Sequence, residues 1–276
     1  MLGNILVHLP TELPAGAAIN GSISFALKTG AHLDVVAIGY ERTIIPLLAI
    51  GVTAVTSVFD FEQARALERA EATLHAFDLQ ARNAGISYTG RALGALPTDA
   101  RRIICASARV HDMTIVTQPR SGYDSCDNLI LRGILSQAGG PVLYLPPTFD
   151  GAFSIRRVGI CWDGSRRAAR ALHDATPLLC KADDLTIIAT AAPDKIPAES
   201  STAHVGEYLA KSGLPAKVMS LPTSQAAQRA LLSLAADESL DLLVMGSYGR
   251  SRLQERLLGT AGHMLRGINI PVLMSH

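Results

Sequence analysis

Aromatic and charged residues are scarce in this chain. Of 276 residues, 5% are aromatic and 18% charged; tryptophan occurs once, at Trp162, and the net charge is +1. So even a balance gives no electrostatic footprint for nucleic acid or an anionic membrane surface as a general partner. The cysteines Cys105, Cys126, Cys161 and Cys180 form no C-x-x-C pair. Their scatter argues against a zinc ribbon or a redox dithiol and fits thiols in a reducing compartment. The histidines show no H-x-x-x-H spacing for a metal. No Walker-type Gly-Lys-Thr occurs, and no acidic pair stands out for two metals. Met1 to Pro10 contains no basic segment and reads as a strand, not as a secretory signal. Thr43 to Phe59 is uncharged for 17 residues but is interrupted by Pro46 and Gly51, too short and too broken for a membrane span. It is expected to be a mobile or partner-covered loop leading into a helix. Together these absences predict a cytoplasmic protein without nucleic-acid or membrane partners.

Apolar residues, by contrast, make up 48% of the chain, enough for a substantial core, and the length suits one large domain or two ordinary ones. They are arranged in a repeat. In the second half, strands are predicted at 158–162, 185–191, 216–221, 241–246 and 271–275, with helices at 166–179, 202–212, 225–238 and 260–268 between them. Ser224 is placed to cap the third of these helices. The first half follows the same order, with strands at 4–9, 33–39, 86–92, 112–117 and 141–145 and helices at 12–29, 60–84, 97–109 and 125–138. Asp112-Met113-Thr114-Ile115-Val116 parallels Asp241-Leu242-Leu243-Val244-Met245, and Pro141-Val142-Leu143 parallels Pro271-Val272-Leu273. Alternating strands and helices imply parallel strands joined by right-handed crossovers. The predicted fold class is α/β: two tandem doubly wound, Rossmann-like units, each a five-stranded parallel sheet flanked by helices. The units are assigned to 1–147 and 152–276, with Pro146-Pro147 and Gly151 marking the linker.

The chemistry-bearing stretch lies in the second unit. Gly246-Ser247-Tyr248-Gly249 follows a buried strand, and after nine intervening residues comes Gly259-Thr260, which opens a helical segment at Ala261. Glycines let backbone approach a ligand closely. A capped helix start offers free N–H groups and partial positive charge to a phosphate. The alternative is a tight strand-to-helix turn without a ligand. Asp163, at the end of the first strand of this unit, suits either a ligand contact or a helix cap. Arg250 suits either phosphate or the surface, as does His263.

The spacing Gly-x2-Gly-x9-Gly-Thr, with Gly249-Arg250-Ser251, Leu257-Leu258 and the closing Pro271-Val272-Leu273, resembles the nucleotide-binding signature of the universal stress protein family. The resemblance implies a tandem member whose second unit binds ATP, with Mg or Mn riding on the triphosphate. Its implied contacts are Asp163, Gly246, Ser247, Gly249, Arg250, Gly259, Thr260 and Ala261, with Asp163 on the adenosine and backbone near Ala189 to Ala191 at the adenine edge. It further implies a stress-response sensor or regulator that is at most a weak ATPase, since no hydroxyl has an evident general base. Two alternatives stay open: an adenine nucleotide α-hydrolase-like enzyme, and an interaction scaffold without nucleotide. The first unit departs from the pattern, with Pro10 where Asp163 aligns and Thr117, Pro119 and Arg120 where the glycines align. It is therefore expected not to bind ATP in the family manner. The closing strands are expected to pair either between the two units, as an internal pseudo-dimer, or between chains, as a homodimer.

Overall fold

A computed structural model describes residues 2–41, 52–120, 122–221, 227–247, 265 and 267–276. The first unit runs β1 (Asn4–Leu9), α1 (Gly16–Thr29), β2 (His32–Tyr40), α2 (Val52–Ala84), β3 (Tyr88–Ala95), α3 (Pro97–Ala108), β4 (Met113–Thr117), α4 (Cys126–Gln137) and β5 (Val142–Leu145). The second runs β6 (Arg157–Trp162), α5 (Arg166–Leu179), β7 (Asp184–Ala189), α6 (Thr202–Lys211), β8 (Ala216–Ser220), α7 (Ala227–Asp237), β9 (Leu242–Gly246) and β10 (Val272–Ser275). Two short 3-10 turns, Pro193–Lys195 and Ala198–Ser200, connect β7 to α6.

The strands form one sheet of ten in the order β3-β2-β1-β4-β5-β10-β9-β6-β7-β8. Within each unit every pairing is parallel; β5 and β10 meet antiparallel, Val272 opposite Tyr144 and Met274 opposite Val142. The closing strands therefore pair inside the chain. Each covers the edge that the other would otherwise expose, and unpaired edges invite association. The core is continuous across this seam. One face of the sheet packs Ile5, Val7, Leu143, Val158, Val244 and Leu273 into one cluster. The other face packs Leu6, Val116, Tyr144, Leu243 and Met274 into a second. Burial on both faces explains why the strands read as unbroken apolar runs. The linker also joins this core: Phe153 donates its N–H to Ser24 Oγ at 2.6 Å, and its ring meets Phe25 edge-on at 5.0 Å.

One expectation fails along the uncharged run. Residues 52–59 are the opening turns of α2, whose 33 residues run from Val52 to Ala84, not a loop. Threonine, valine and phenylalanine have modest helix propensity, so local sequence argued weakly; the long helix continuing from them decides the conformation. Residues 43–51 and Ser224 lie outside the described residues. Among the described residues, no helix is long and apolar enough to cross a membrane.

Both units repeat a detail at the amino ends of their strands. The carboxylate of Asp112 accepts the N–H groups of Gly3 and Asn4 at 2.6 and 3.0 Å. That of Asp241 accepts the N–H of Arg157 at 2.9 Å. Each aspartate thus ties the start of its unit's fourth strand to the start of its first.

Candidate functional site

Strand order reverses beside β1 in the first unit and beside β6 in the second. In open α/β sheets the crevice beyond the carboxyl ends of strands at such a point is where ligands bind. In the second unit that crevice lies between the ends of β6 and β9, which pair through Val158–Leu242, Gly159–Leu243 and Ile160–Val244. Asp163 follows β6, and Gly246 and Ser247 close β9, so three of the predicted site residues come to one end of the sheet. Gly249, Arg250, Gly259, Thr260, Ala261 and His263 lie outside the described residues.

Asp163 Oδ1 accepts the N–H of Ser165 at 3.0 Å. Ser165, not Asp163, caps α5, its Oγ accepting from Ala168 N–H at 3.2 Å. The cap role considered for the aspartate thus belongs to its neighbour. Asp163 instead braces the three-residue turn while remaining half-buried at the crevice. Gly164 in that turn has φ +73°, the left-handed region where glycine is favoured. A Cβ there would lie 2.7 Å from Ile196 Cγ2 and 3.0 Å from Ser200 Oγ. The segment between β7 and α6 therefore crosses directly over this turn. Its anchor is Trp162, whose indole N–H donates to the Ser200 carbonyl at 2.8 Å. The single tryptophan pins the strap to the end of β6, a role that no residue spacing announced.

Gly246 has a packing reason of its own beside the ligand approach read in the sequence. A Cβ at that position would stand 2.5 Å from the Arg167 carbonyl carbon and 2.6 Å from Ala168 N. The glycine is needed so that the first turn of α5 can close on β9. This brings Ser165 and Arg167 to the crevice. Arg167 is near enough to His276 for its charge to act together with burial, the larger effect, in lowering the imidazole's proton affinity. Ser247 is fully buried, and its N–H donates to Ser275 O at 2.7 Å. The Ser247 hydroxyl has no hydrogen-bond partner among the described residues.

Backbone at the end of β7 is less open than expected. Thr190 N–H donates to the Trp162 carbonyl at 2.9 Å, and the Ala189 carbonyl accepts from Leu221 N–H at 3.0 Å. Both groups extend the sheet and are committed to it. The Cys161 thiol is pushed up to about 12, by burial first and the charge of Asp163 second, so it is no nucleophile at neutral pH. Among the described residues no cluster of three or more His, Cys, Asp or Glu side chains is arranged to hold a metal ion.

The equivalent end of the first unit confirms the alignment of the two halves. Thr117 pairs with Leu145 as Gly246 pairs with Ser275. Gln118 N–H then donates to Leu145 O at 2.8 Å, as Ser247 does to Ser275. Arg120 is held by its backbone, its N–H donating to Asn128 Oδ1 at 3.0 Å, and its guanidinium stacks 4.7 Å from the centre of the Tyr123 ring.

Residues 154–276 match the model of the universal stress protein family. No curated protein matches the chain. Among solved structures, a universal stress protein from Archaeoglobus fulgidus DSM 4304 is similar over 98% of this chain and 95% of that one, with a TM-score of 0.71 and 18% identity. A functionally unknown protein from Pseudomonas aeruginosa PAO1 is similar over 99% of this chain and 92% of that one, with a TM-score of 0.56 and 18% identity. At these identities the solved structures show a shared fold, whereas the family match rests on sequence. The sequence match to the universal stress protein family thus covers the second unit, residues 154–276, while the likeness of fold extends over both units.

Proposed function

We propose that the second unit binds ATP or a related adenine nucleotide beyond the carboxyl ends of β6 and β9. On this reading the chain is a cytoplasmic stress-response regulator and not an efficient enzyme. The observation that carries it is the meeting of Asp163, the first turn of α5 and the Gly246-Ser247 end of β9 at the switch point, followed in sequence by the remaining glycines of the motif. Ser165 N–H fixes one oxygen of Asp163, which leaves the carboxylate oriented to accept from a ribose hydroxyl. Gly246 supports the site indirectly, by letting α5 approach, and Ser247 sets a buried hydroxyl beside it. Gly249, Arg250, Gly259, Thr260 and Ala261 would supply the phosphate donors, with a divalent ion carried on the triphosphate. Two of the nearby hydroxyls are already engaged, which counts against either as a nucleophile. Ser165 Oγ caps α5, and Thr190 Oγ1 donates to the Trp162 carbonyl at 3.2 Å. The first unit, with Thr117 and Arg120 at the glycine positions, is read as the half that does not take nucleotide.

Isothermal titration with ATP tests this. The wild type is expected to bind one nucleotide per chain, and Asp163→Ala to bind at least about tenfold more weakly, a loss of about 1.4 kcal/mol. Equal affinities would remove Asp163 from the site. The absence of both binding heat and a thermal shift with any nucleotide would favour the scaffold alternative, because a ligand of the native state must raise its apparent stability. Gly246→Val is unsuitable for this test, since its side chain would meet the α5 backbone before any ligand.

A further inference from the structure

The matching end of the first unit is filled by a buried polar network. Asp127, in the first turn of α4, is fully buried. Its Oδ2 accepts the N–H groups of Glu12 and Leu13 at 2.8 and 2.9 Å, and its Oδ1 accepts Thr11 N–H at 3.4 Å and the Tyr40 hydroxyl at 2.6 Å. Three successive backbone N–H groups turned toward one point make an anion-binding hollow. The contact is reciprocated. Glu12, on the loop that supplies those donors, extends its Oε2 to Cys126 N–H at 2.6 Å. Cys126 is the first residue of α4, where N–H groups lack intrahelical partners and the helix dipole favours negative charge. This is not ordinary local capping, because Ser125 already caps α4, its Oγ accepting from Asn128 N–H at 3.2 Å. Glu12 is a second acceptor brought from 114 residues away.

Place in the chain gives the network its meaning. The loop at residues 10–15 follows β1 as residues 163–165 follow β6. Helix α4 follows β4 as the segment opened by Gly259-Thr260 follows β9. We propose that the first unit is self-liganded: the carboxylates of Asp127 and Glu12, exchanged between the loop after β1 and the start of α4, stand where a bound polyanion's oxygens would otherwise meet backbone donors. The comparison with a polyanion rests on the function proposed for the second unit; the exchange itself does not. Two features of the surroundings agree. Burial, followed by the charge of Asp127, drives the Tyr40 phenol's ionisation far upward, so it remains a donor. His8 is fully buried with Nε2 3.9 Å from Asp127 Oδ1, and burial lowers its proton affinity against the pull of that charge. The Asp127 carboxyl is thus met by four hydrogen bonds, as a ligand's oxygens would be.

Anion rescue tests the proposal. Thermal midpoints are measured for wild type, Glu12→Ala and Glu12→Gln, with inorganic phosphate or chloride at matched ionic strength. Glu12→Ala is expected to lower the midpoint by several degrees in chloride and to regain a good part of that loss in phosphate. Glu12→Gln, which keeps an acceptor without the charge, is expected to lose less. Phosphate acting in the second unit would raise wild type and variants alike, so only the difference between them reports on the first. A loss that phosphate does not diminish relative to wild type would overturn the proposal, as would no loss in Glu12→Ala. Asp127→Asn gives an independent check through ATP stoichiometry. One nucleotide per chain in both wild type and variant is expected, and a nucleotide bound by the wild-type first unit would overturn self-liganding. If the second unit binds no nucleotide at all, the rescue experiment is unaffected.

Discussion

The two units share a topology and differ at one end of it. Both tie the start of the fourth strand to the start of the first through an aspartate, Asp112 or Asp241, and both place their closing strand at the seam. At the opposite end the second unit has a three-residue turn, 163–165, and a glycine at the end of β9. The first unit has residues 10–15 and Thr117 in the corresponding places. In the second unit Gly246 lets the first turn of α5 close on β9; in the first unit the longer loop carries Glu12 to the start of α4, and Asp127 holds that loop and the Tyr40 hydroxyl. A repeated fold has thus kept the order of strands in both copies and, besides the longer α2 of the first unit, differs among the described residues at the end where loops and helix starts converge. That end is where function can vary at least cost to the core.

The comparison can be broken most severely at the two aligned strand ends. Gly246→Ala places a Cβ against the backbone of Arg167 and Ala168, which cannot move aside as a side chain would. A loss of about 1–3 kcal/mol or more is expected in urea unfolding. Thr117→Ala removes a methyl, worth about 0.8 kcal/mol, together with a buried hydroxyl that has no hydrogen-bond partner among the described residues. Its stability should stay within about 1 kcal/mol of wild type. Similar losses at both positions would show that the units pack their first helices alike after all.

A smaller effect concerns the strap. Trp162→Phe keeps the ring in the core and deletes the indole N–H bond to Ser200, worth about 1 kcal/mol. Faster amide exchange is expected across 190–201, with residues 10–15 unchanged. Uniform acceleration across the chain would mean that the bond stabilises the whole fold and not the strap in particular.

The smallest effect is on pH dependence at the shared end. Hydrogen bonds from Asn4 N–H, then Gly3 N–H, hold the Asp112 carboxyl below the usual carboxylate range against a modest opposing effect of burial. A folded-state value below the unfolded one adds stability that is complete above the unfolded pKa, about 3.9, and is lost as pH falls through the folded value. Asp112→Asn should therefore unfold at lower urea than wild type at pH 7, and the two curves should converge in acid. A constant gap from pH 7 to pH 3 would contradict this.

Much of the architecture was legible in advance. Strands such as Met113–Thr117 and Leu242–Gly246 are short apolar runs behind an aspartate, and buried parallel strands have little freedom to look otherwise. The start of α2 was not legible, because Val52 to Phe59 is uncharged and rich in β-branched residues that suit a loop or strand as well as a helix. In the site, Asp163 was legible as a carboxylate at a strand end, but its partner Ser165 and the covering Ile196 were not. The Glu12–Cys126 contact joins residues too distant in sequence for any spacing to reveal.

By itself the sequence determined the order of strands and helices, the duplication, and the motif that marks the second half, because periodicity and glycine spacing are local properties. Only the tertiary structure decided that the closing strands pair with each other and that Gly246 faces a helix backbone. It alone decided that the first unit turns its own carboxylates onto its own donors. These outcomes depend on which elements meet in space, and a linear pattern does not encode that meeting.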